Sequence, residues 1–149
     1  MVKLLYSIPF LFSTRYPGDS FYLYATRCIS AIFGVLAVAV IARKNLWAGF
    51  LFALHSMTLK YTSQAHLEAL PMLMAILTLI LLDKASNQRR KYLWLSAICF
   101  GITGAAKYPY LAIILVILFI FLQKKEFSIG EVILYFGLSL IVFFILNPN

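Results

Sequence analysis

From Leu46 to Leu82 the chain reads LWAGFLFALHSMTLKYTSQAHLEALPMLMAILTLILL. Two apolar runs, Leu46–Leu59 and Leu67–Leu82, flank a polar, ionisable turn that begins at Lys60 and ends at Glu68. Each run is about 14 to 16 residues, or roughly 21–24 Å of helix, against the ~30 Å hydrocarbon core of a bilayer. Runs of that length cross a membrane only if the polar turn carries each helix past the hydrocarbon. Otherwise they stop midway as a hairpin buried in protein. Completion by the turn is the simpler expectation, and it places the polar stretch at a membrane edge.

The rest of the chain repeats the pattern. Apolar stretches cover Phe21–Ala42, Tyr92–Ala106, Tyr108–Leu122 and Ile129–Leu146. Open strands leave backbone groups unpaired in lipid, so all of these predict helices. The expected fold is all-α: a polytopic membrane helix bundle of about six transmembrane helices in a single domain, residues 1–149. An N-terminal interfacial helix precedes it. That helix is Met1 to Phe12, about nine mostly apolar residues after Lys3, which reach only ~14 Å and cannot span. Tyr6, Phe10 and Phe12 would anchor it at the interface.

Composition agrees with this class. The 149 residues are 63% hydrophobic and 12% charged, with a mean hydropathy of +0.92; soluble domains are roughly 45–50% apolar and about 25% charged. The net charge of +8 has no soluble basic face to sit on, which excludes nucleic acid as a partner and points to membrane lipids and phosphorylated lipids. Cys28 and Cys99 fall inside apolar runs and read as small hydrophobes, not a disulfide pair or metal ligands. P-loop, dinucleotide, nucleophile-elbow, zinc and calcium motifs are absent, so no soluble cofactor is expected.

Charge predicts topology. Arg43 and Lys44, then Lys84, Arg89, Arg90 and Lys91, then Lys124 and Lys125 occupy every second connection, eight of the thirteen basic residues, and those connections should be cytoplasmic. The Lys60–His66 turn, the Lys107 turn and the Asn147-Pro148-Asn149 end then face outward. Asp83 to Lys91 reads as a hydrophilic loop between helices.

Ionisable residues near hydrocarbon cost roughly 2.5–3.5 kcal/mol at a helix centre, which makes each one a candidate. Arg27, two turns into the first helix, reads either as a side chain snorkelling to the interface or as a bidentate grip on a phosphate. Lys107, in Gly104-Ala-Ala-Lys107-Tyr-Pro109, stands at a kinked boundary where small residues permit close helix approach and Pro109 opens a new helix. It marks the membrane edge or contacts a phosphate as a point charge. Lys60 completes an outward basic set. His55 lies within the second run. Glu68 complements a helix N-terminus or faces a cavity as a proton acceptor. His66 and Glu68, two apart, point about 200° from each other on a helix and cannot chelate one ion, so no metal site is expected. His66, Tyr61 and Tyr108 would line the cavity.

These pieces together resemble the polyprenyl-phosphate-sugar-dependent membrane glycosyltransferases of the GT-C fold, a group that includes protein O-mannosyltransferases and lipid A aminoarabinose transferases. The resemblance rests on Arg27-Cys-Ile-Ser-Ala-Ile-Phe-Gly34 opening a long helix, Arg43-Lys44 closing it and Leu54-His-Ser-Met-Thr-Leu-Lys-Tyr-Thr-Ser63 ending the next. It also rests on Glu68-Ala-Leu-Pro-Met72 and on Gly101-Ile-Thr-Gly-Ala-Ala-Lys-Tyr108. It covers about Met1 to Leu122. It implies transfer of a sugar from a polyprenyl-phosphate donor to an acceptor on the outer membrane face, with Arg27 and Lys107 on the donor phosphate, a lipid-linked sugar in place of a cofactor and no divalent metal. The family's first helix and catalytic acidic loop have no counterpart here. The resemblance therefore implies a truncated member, whose missing part would be a partner. Glu68 and Asp19 are the substitutes on offer for the catalytic carboxylate, and whether the chain turns over substrate is left open. Two readings from other classes stand beside it: a small multi-helix transporter or channel subunit, and a non-catalytic membrane scaffold.

Overall fold

A computed structural model describes residues 20–56, 58, 60, 68–87, 90–124 and 126–147. Among them every regular element is helical. In chain order these are α1 (Ser20–Ala42), α2 (Leu46–Leu54), α3 (Ala69–Asn87), α4 (Lys91–Ala106), a 3-10 helix (Tyr108–Ile113), α5 (Ile114–Gln123) and α6 (Ile129–Leu146). Within α1, α3 and α6, three stretches are long and apolar enough to cross a membrane: Leu23–Ala42, Ala69–Ser86 and Ile129–Leu146. Their outer faces are apolar too, as at Val35, 67% exposed, and Ile129, 80% exposed. Water would not tolerate such faces in these numbers, but lipid does. The expected interfacial helix over Met1 to Phe12 lies outside the described residues.

The chain divides into two compact units, Met1–Leu73 and Met74–Asn149. In the first, α1 and α2 form a tight hairpin. Asn45 caps α2, its Oδ1 accepting from the Ala48 N–H at 3.1 Å, which satisfies one of the donors a helix start leaves open. At Gly49 an added Cβ would lie 2.5 Å from the Ala42 Cβ, so the close turn requires glycine there. On α1, Ser30, Gly34 and Ala37 make a buried stripe of small residues at helical spacing.

Three expectations about element limits need correction. The run Leu46–Leu59 is not one helix: α2 stops at Leu54 and His55 adopts an extended backbone, φ −63° and ψ 125°, so His55 is a cap and not a helix-interior residue. His55 and Ser56 are the first polar pair in the run, and serine competes for backbone hydrogen bonds. The hydrophilic loop expected over Asp83–Lys91 is mostly helix, because α3 continues to Asn87. Its polar end is held from across the unit: Lys124 Nζ donates to Asp83 Oδ1 at 3.1 Å, and Ser86 Oγ donates to Glu126 Oε2 at 3.3 Å. Tyr108–Leu122 starts as a 3-10 helix and becomes α-helical only from Ile114; Pro109 is accommodated in its first turn, where the missing N–H would have no helical partner.

In the second unit α4 packs on α6, around Leu82, Leu93, Phe100, Ile117, Phe121 and Tyr135. An added Cβ on Gly101 would stand 2.5 Å from the Ser139 carbonyl oxygen and 2.8 Å from the Val142 Cβ, so the two backbones nearly touch. Small residues make such an approach possible, and it is the usual device for helix association in lipid. Hydroxyls join the helices. Ser96 Oγ donates to the Thr78 carbonyl at 2.8 Å and lies 3.1 Å from the Tyr135 hydroxyl. With its only proton given to Thr78, Ser96 accepts from Tyr135. Ser139 Oγ reaches the Ala97 carbonyl at 3.0 Å and its own helix at Tyr135 O at 2.8 Å. Every buried polar group of this core is thereby paired, as a low-dielectric interior demands.

Candidate functional site: a lysine-mouthed cleft in the second unit

The helix ends of the second unit sort into two sets. One carries Asp83, Arg90, Lys124, Glu126 and Glu131. There Glu131 pairs with the largely exposed Arg90 and closes a capping box with Ser128, whose N–H donates to Glu131 Oε2 at 2.9 Å. The box satisfies two open donors at the start of α6. The other set brings the end of α4, Lys107, the 3-10 helix and the end of α6 together, with Asn147 Nδ2 donating to the Tyr108 hydroxyl at 3.0 Å.

Lys107 is the hinge of this second end. Its backbone is extended, φ −161° and ψ 118°, its N–H closes α4 on the Thr103 carbonyl at 3.0 Å, and its carbonyl accepts from the Tyr110 N–H at 3.2 Å. That geometry turns the chain from α4 into the 3-10 helix and sets the half-buried Lys107 side chain at the rim. The kinked boundary expected at Lys107 and Pro109 is therefore present. Tyr108 is 61% exposed, its ring tilted at 45° against Phe143 with 6.0 Å between centroids.

Two cavities meet at this rim. A polar-mouthed hollow of about 400 Å³ is bounded by Gly104, Ala105, Ala106, Lys107, Tyr108, Pro109 and Asn147. Next to it an apolar cleft of about 300 Å³ runs between α4, the 3-10 helix with α5, and α6, lined by Phe100, Gly101, Gly104, Leu111, Ile114, Phe136, Ser139, Leu140 and Phe143. Gly104 borders both. Its added Cβ would come within 2.8 Å of Leu111 Cδ2, so a side chain there would press on the wall of the apolar cleft. The arrangement offers a cation, a phenol and an amide at one end and hydrocarbon at the other. It suits a molecule with a charged head and an apolar tail.

Of the residues singled out from sequence, Lys107 and Tyr108 are brought together here. Arg27, Lys60 and Glu68 belong to the first unit. Arg27 is exposed on α1, Lys60 is exposed and helical, and Glu68 sits in the turn before α3, its carbonyl accepting from the Met72 N–H at 3.1 Å. Glu68 thus stands at a helix start, where a carboxylate complements the helix dipole. Asp19, Tyr61 and His66 lie outside the described residues. Among the described residues no three or more His, Cys, Asp or Glu gather as a metal site requires.

Sequence reasoning passed over Asn147, Ser139 and Glu131. Glu131 had a signal, the Ser128-Ile-Gly-Glu131 spacing before an apolar run. Asn147 had none, because its contact with Tyr108 depends on the packing of α6 against α4. Comparison of the chain with protein-family models, curated proteins and solved structures gives no match in any of the three.

Proposed function

We propose that this is an integral, multi-pass membrane protein that binds an isoprenyl phosphate carrying a sugar, with the phosphate at Lys107 and the start of the isoprenoid chain in the cleft beyond Gly104. The observation that carries the reading is the adjacency of the two cavities: a hollow bordered by Lys107 and a cleft walled by Phe, Leu and Ile share Gly104 as a lining residue. Lys107 would hold the phosphate as a point charge, and Tyr108 and Asn147 would contact the sugar or phosphate oxygens. Six spans, and the outward orientation of the Lys107 end, complete the proposed topology.

The activity proposed is that of a GT-C-like glycosyltransferase module: the sugar passes to an acceptor hydroxyl at the outer face as the isoprenyl phosphate leaves. Lys107 would stabilise the charge that develops on that phosphate. Arg27, Lys60 and Glu68 lie in the first unit and are assigned no part in the Lys107 site; the proton of the acceptor hydroxyl leaves to water. A transport path would call for ionisable groups at mid-helix. Among the described residues of the second unit, the buried polar groups there are the hydroxyls of Thr78, Ser96, Thr103, Tyr135 and Ser139, each hydrogen-bonded, which favours the transferase over the transporter.

The test is binding of a short-chain isoprenyl-phosphate sugar to the purified chain in detergent. A hydrogen bond to a charged group contributes about 1.5–3 kcal/mol. Lys107→Gln should therefore weaken binding roughly tenfold to over a hundredfold. Equal affinity in the two proteins would remove the proposal.

A further inference from the structure

At the opposite end of the second unit, Lys84 stands in the last turn of α3 and Lys91 opens α4. Both ammonium groups converge on one ring. Lys84 Nζ lies 5.7 Å and Lys91 Nζ 5.3 Å from the centroid of Tyr92, each within the ~6 Å reach of a cation–π contact. The two cations are thus no further apart than the sum of those distances, so an anion placed between them meets the field of both. Two of the neighbouring acids are already paired with other cations, Asp83 with Lys124 and Glu131 with Arg90. Among the described residues neither Lys84 nor Lys91 has a carboxylate at ion-pair distance.

Position names the class of anion. The candidate span Ala69–Ser86 ends just beyond Lys84, which puts both lysines at the edge of the hydrocarbon, and the half-buried Tyr92 is a typical residue of that depth. Lys91, Leu95 and Ile98 follow one another at i, i+4 and i+7, so they share a face of α4, and Leu95 and Ile98 are 45% and 37% exposed. A charged head therefore has an apolar stripe running away from it along the same helix. Arg90, at the N-cap of α4, makes no side-chain capping bond, so the first N–H groups of the helix add positive potential at the same edge.

We propose that Lys84, Lys91 and Tyr92 seat the phosphate of an anionic phospholipid, whose acyl chain lies along Leu95 and Ile98. The lipid bridges the ends of α3 and α4. A soluble anion would gain the two cations but leave the stripe unused.

Native mass spectrometry of the delipidated full chain, given phosphatidylglycerol or phosphatidylcholine, tests this. Phosphatidylglycerol should be retained in preference to phosphatidylcholine. The double variant Lys84→Gln/Lys91→Gln should bind phosphatidylglycerol about thirtyfold more weakly, from the electrostatic contribution of each basic residue near an anionic surface, while Lys84→Arg/Lys91→Arg should keep it. Four results would overturn the proposal: equal retention of the two lipids, unchanged retention in the glutamine pair, loss in the arginine pair equal to that in the glutamine pair, or displacement of phosphatidylglycerol by millimolar inorganic phosphate.

Discussion

Gly101→Ala is the sharpest perturbation of the second unit. The new methyl would sit 2.5 Å from the Ser139 carbonyl oxygen and 2.8 Å from the Val142 Cβ, whereas an ordinary carbon–oxygen contact is about 3.3–3.6 Å. Both obstacles lie on or next to the α6 backbone and cannot swing aside, so α4 and α6 must part by roughly an ångström. That parting stretches the Ser139 Oγ to Ala97 O hydrogen bond, now 3.0 Å, out of range. Overpacking costs about 1–3 kcal/mol and a lost interhelical hydrogen bond in a membrane about 0.6 kcal/mol. Alanine's gain over glycine in a helix returns up to ~1 kcal/mol. With that gain returned in full, the net is a loss of about 0.6–2.6 kcal/mol. Gly137→Ala is the internal control. It lies on α6 with nothing within 4 Å of its added Cβ, so only the propensity term acts and the variant should be neutral or slightly more stable. Gly104→Ala should fall between, since the atom it meets is the mobile end of Leu111. Equilibrium unfolding in mixed micelles of dodecyl sulfate reads all three. The reasoning fails if Gly137→Ala costs as much as Gly101→Ala, or if Gly101→Ala lies within 0.5 kcal/mol of the parent, about the scatter of an ordinary surface substitution.

Other predictions follow from single contacts. Tyr135→Phe and Ser96→Ala each delete the same hydroxyl pair, but with different residues. Phenylalanine leaves Ser96 bonded to the Thr78 carbonyl, whereas alanine at 96 strands the Tyr135 hydroxyl in the core; thermal unfolding should show Ser96→Ala costing about 1–3 kcal/mol and Tyr135→Phe under ~1 kcal/mol. Reversal of that order would mean the hydrogen bonds are otherwise arranged. Glu131→Gln removes the pairing with Arg90 while a glutamine can still close the capping box, so it should cost under ~1 kcal/mol and the cost should shrink with salt. Glu131→Ala loses the cap as well, about 1 kcal/mol more; equal losses in the two variants would count against the cap. In the first unit Gly49→Ala should open the α1–α2 hairpin, visible as faster amide exchange through the turn at Arg43 and Lys44, because its Cβ would overlap Ala42. Unchanged exchange there would contradict the close packing.

Much of the helical order is legible in the sequence because lipid imposes it. Ile129–Leu146 matches the expected stretch residue for residue, and α1 and α4 each begin one residue before theirs. Hydrocarbon length and the need to pair every backbone group leave few alternatives. What the sequence does not reveal is decided by partners far along the chain. The extension of α3 through Ser86 depends on Lys124 and Glu126, some forty residues later. The α4–α6 register rests on Gly101 meeting Ser139, a contact no local pattern announces. The candidate site divides in the same way. Lys107 and Tyr108 stand out by charge and by the adjoining proline, but Asn147 and the cleft behind Gly104 exist only once α6 has packed. His55 looked like a residue of a helix interior, and its extended backbone ends the helix instead.

Photo-crosslinking tests the central claim most directly. The full chain in lipid nanodiscs would receive an isoprenyl phosphate bearing a diazirine near the head of its chain, and labelled peptides would be mapped. The account predicts label on Gly101–Leu111 and Phe136–Phe143, competed away by unlabelled isoprenyl phosphate and reduced roughly tenfold or more by Lys107→Gln. Label spread evenly over outward-facing residues such as Val35 and Ile145, and unaffected by Lys107→Gln, would contradict it.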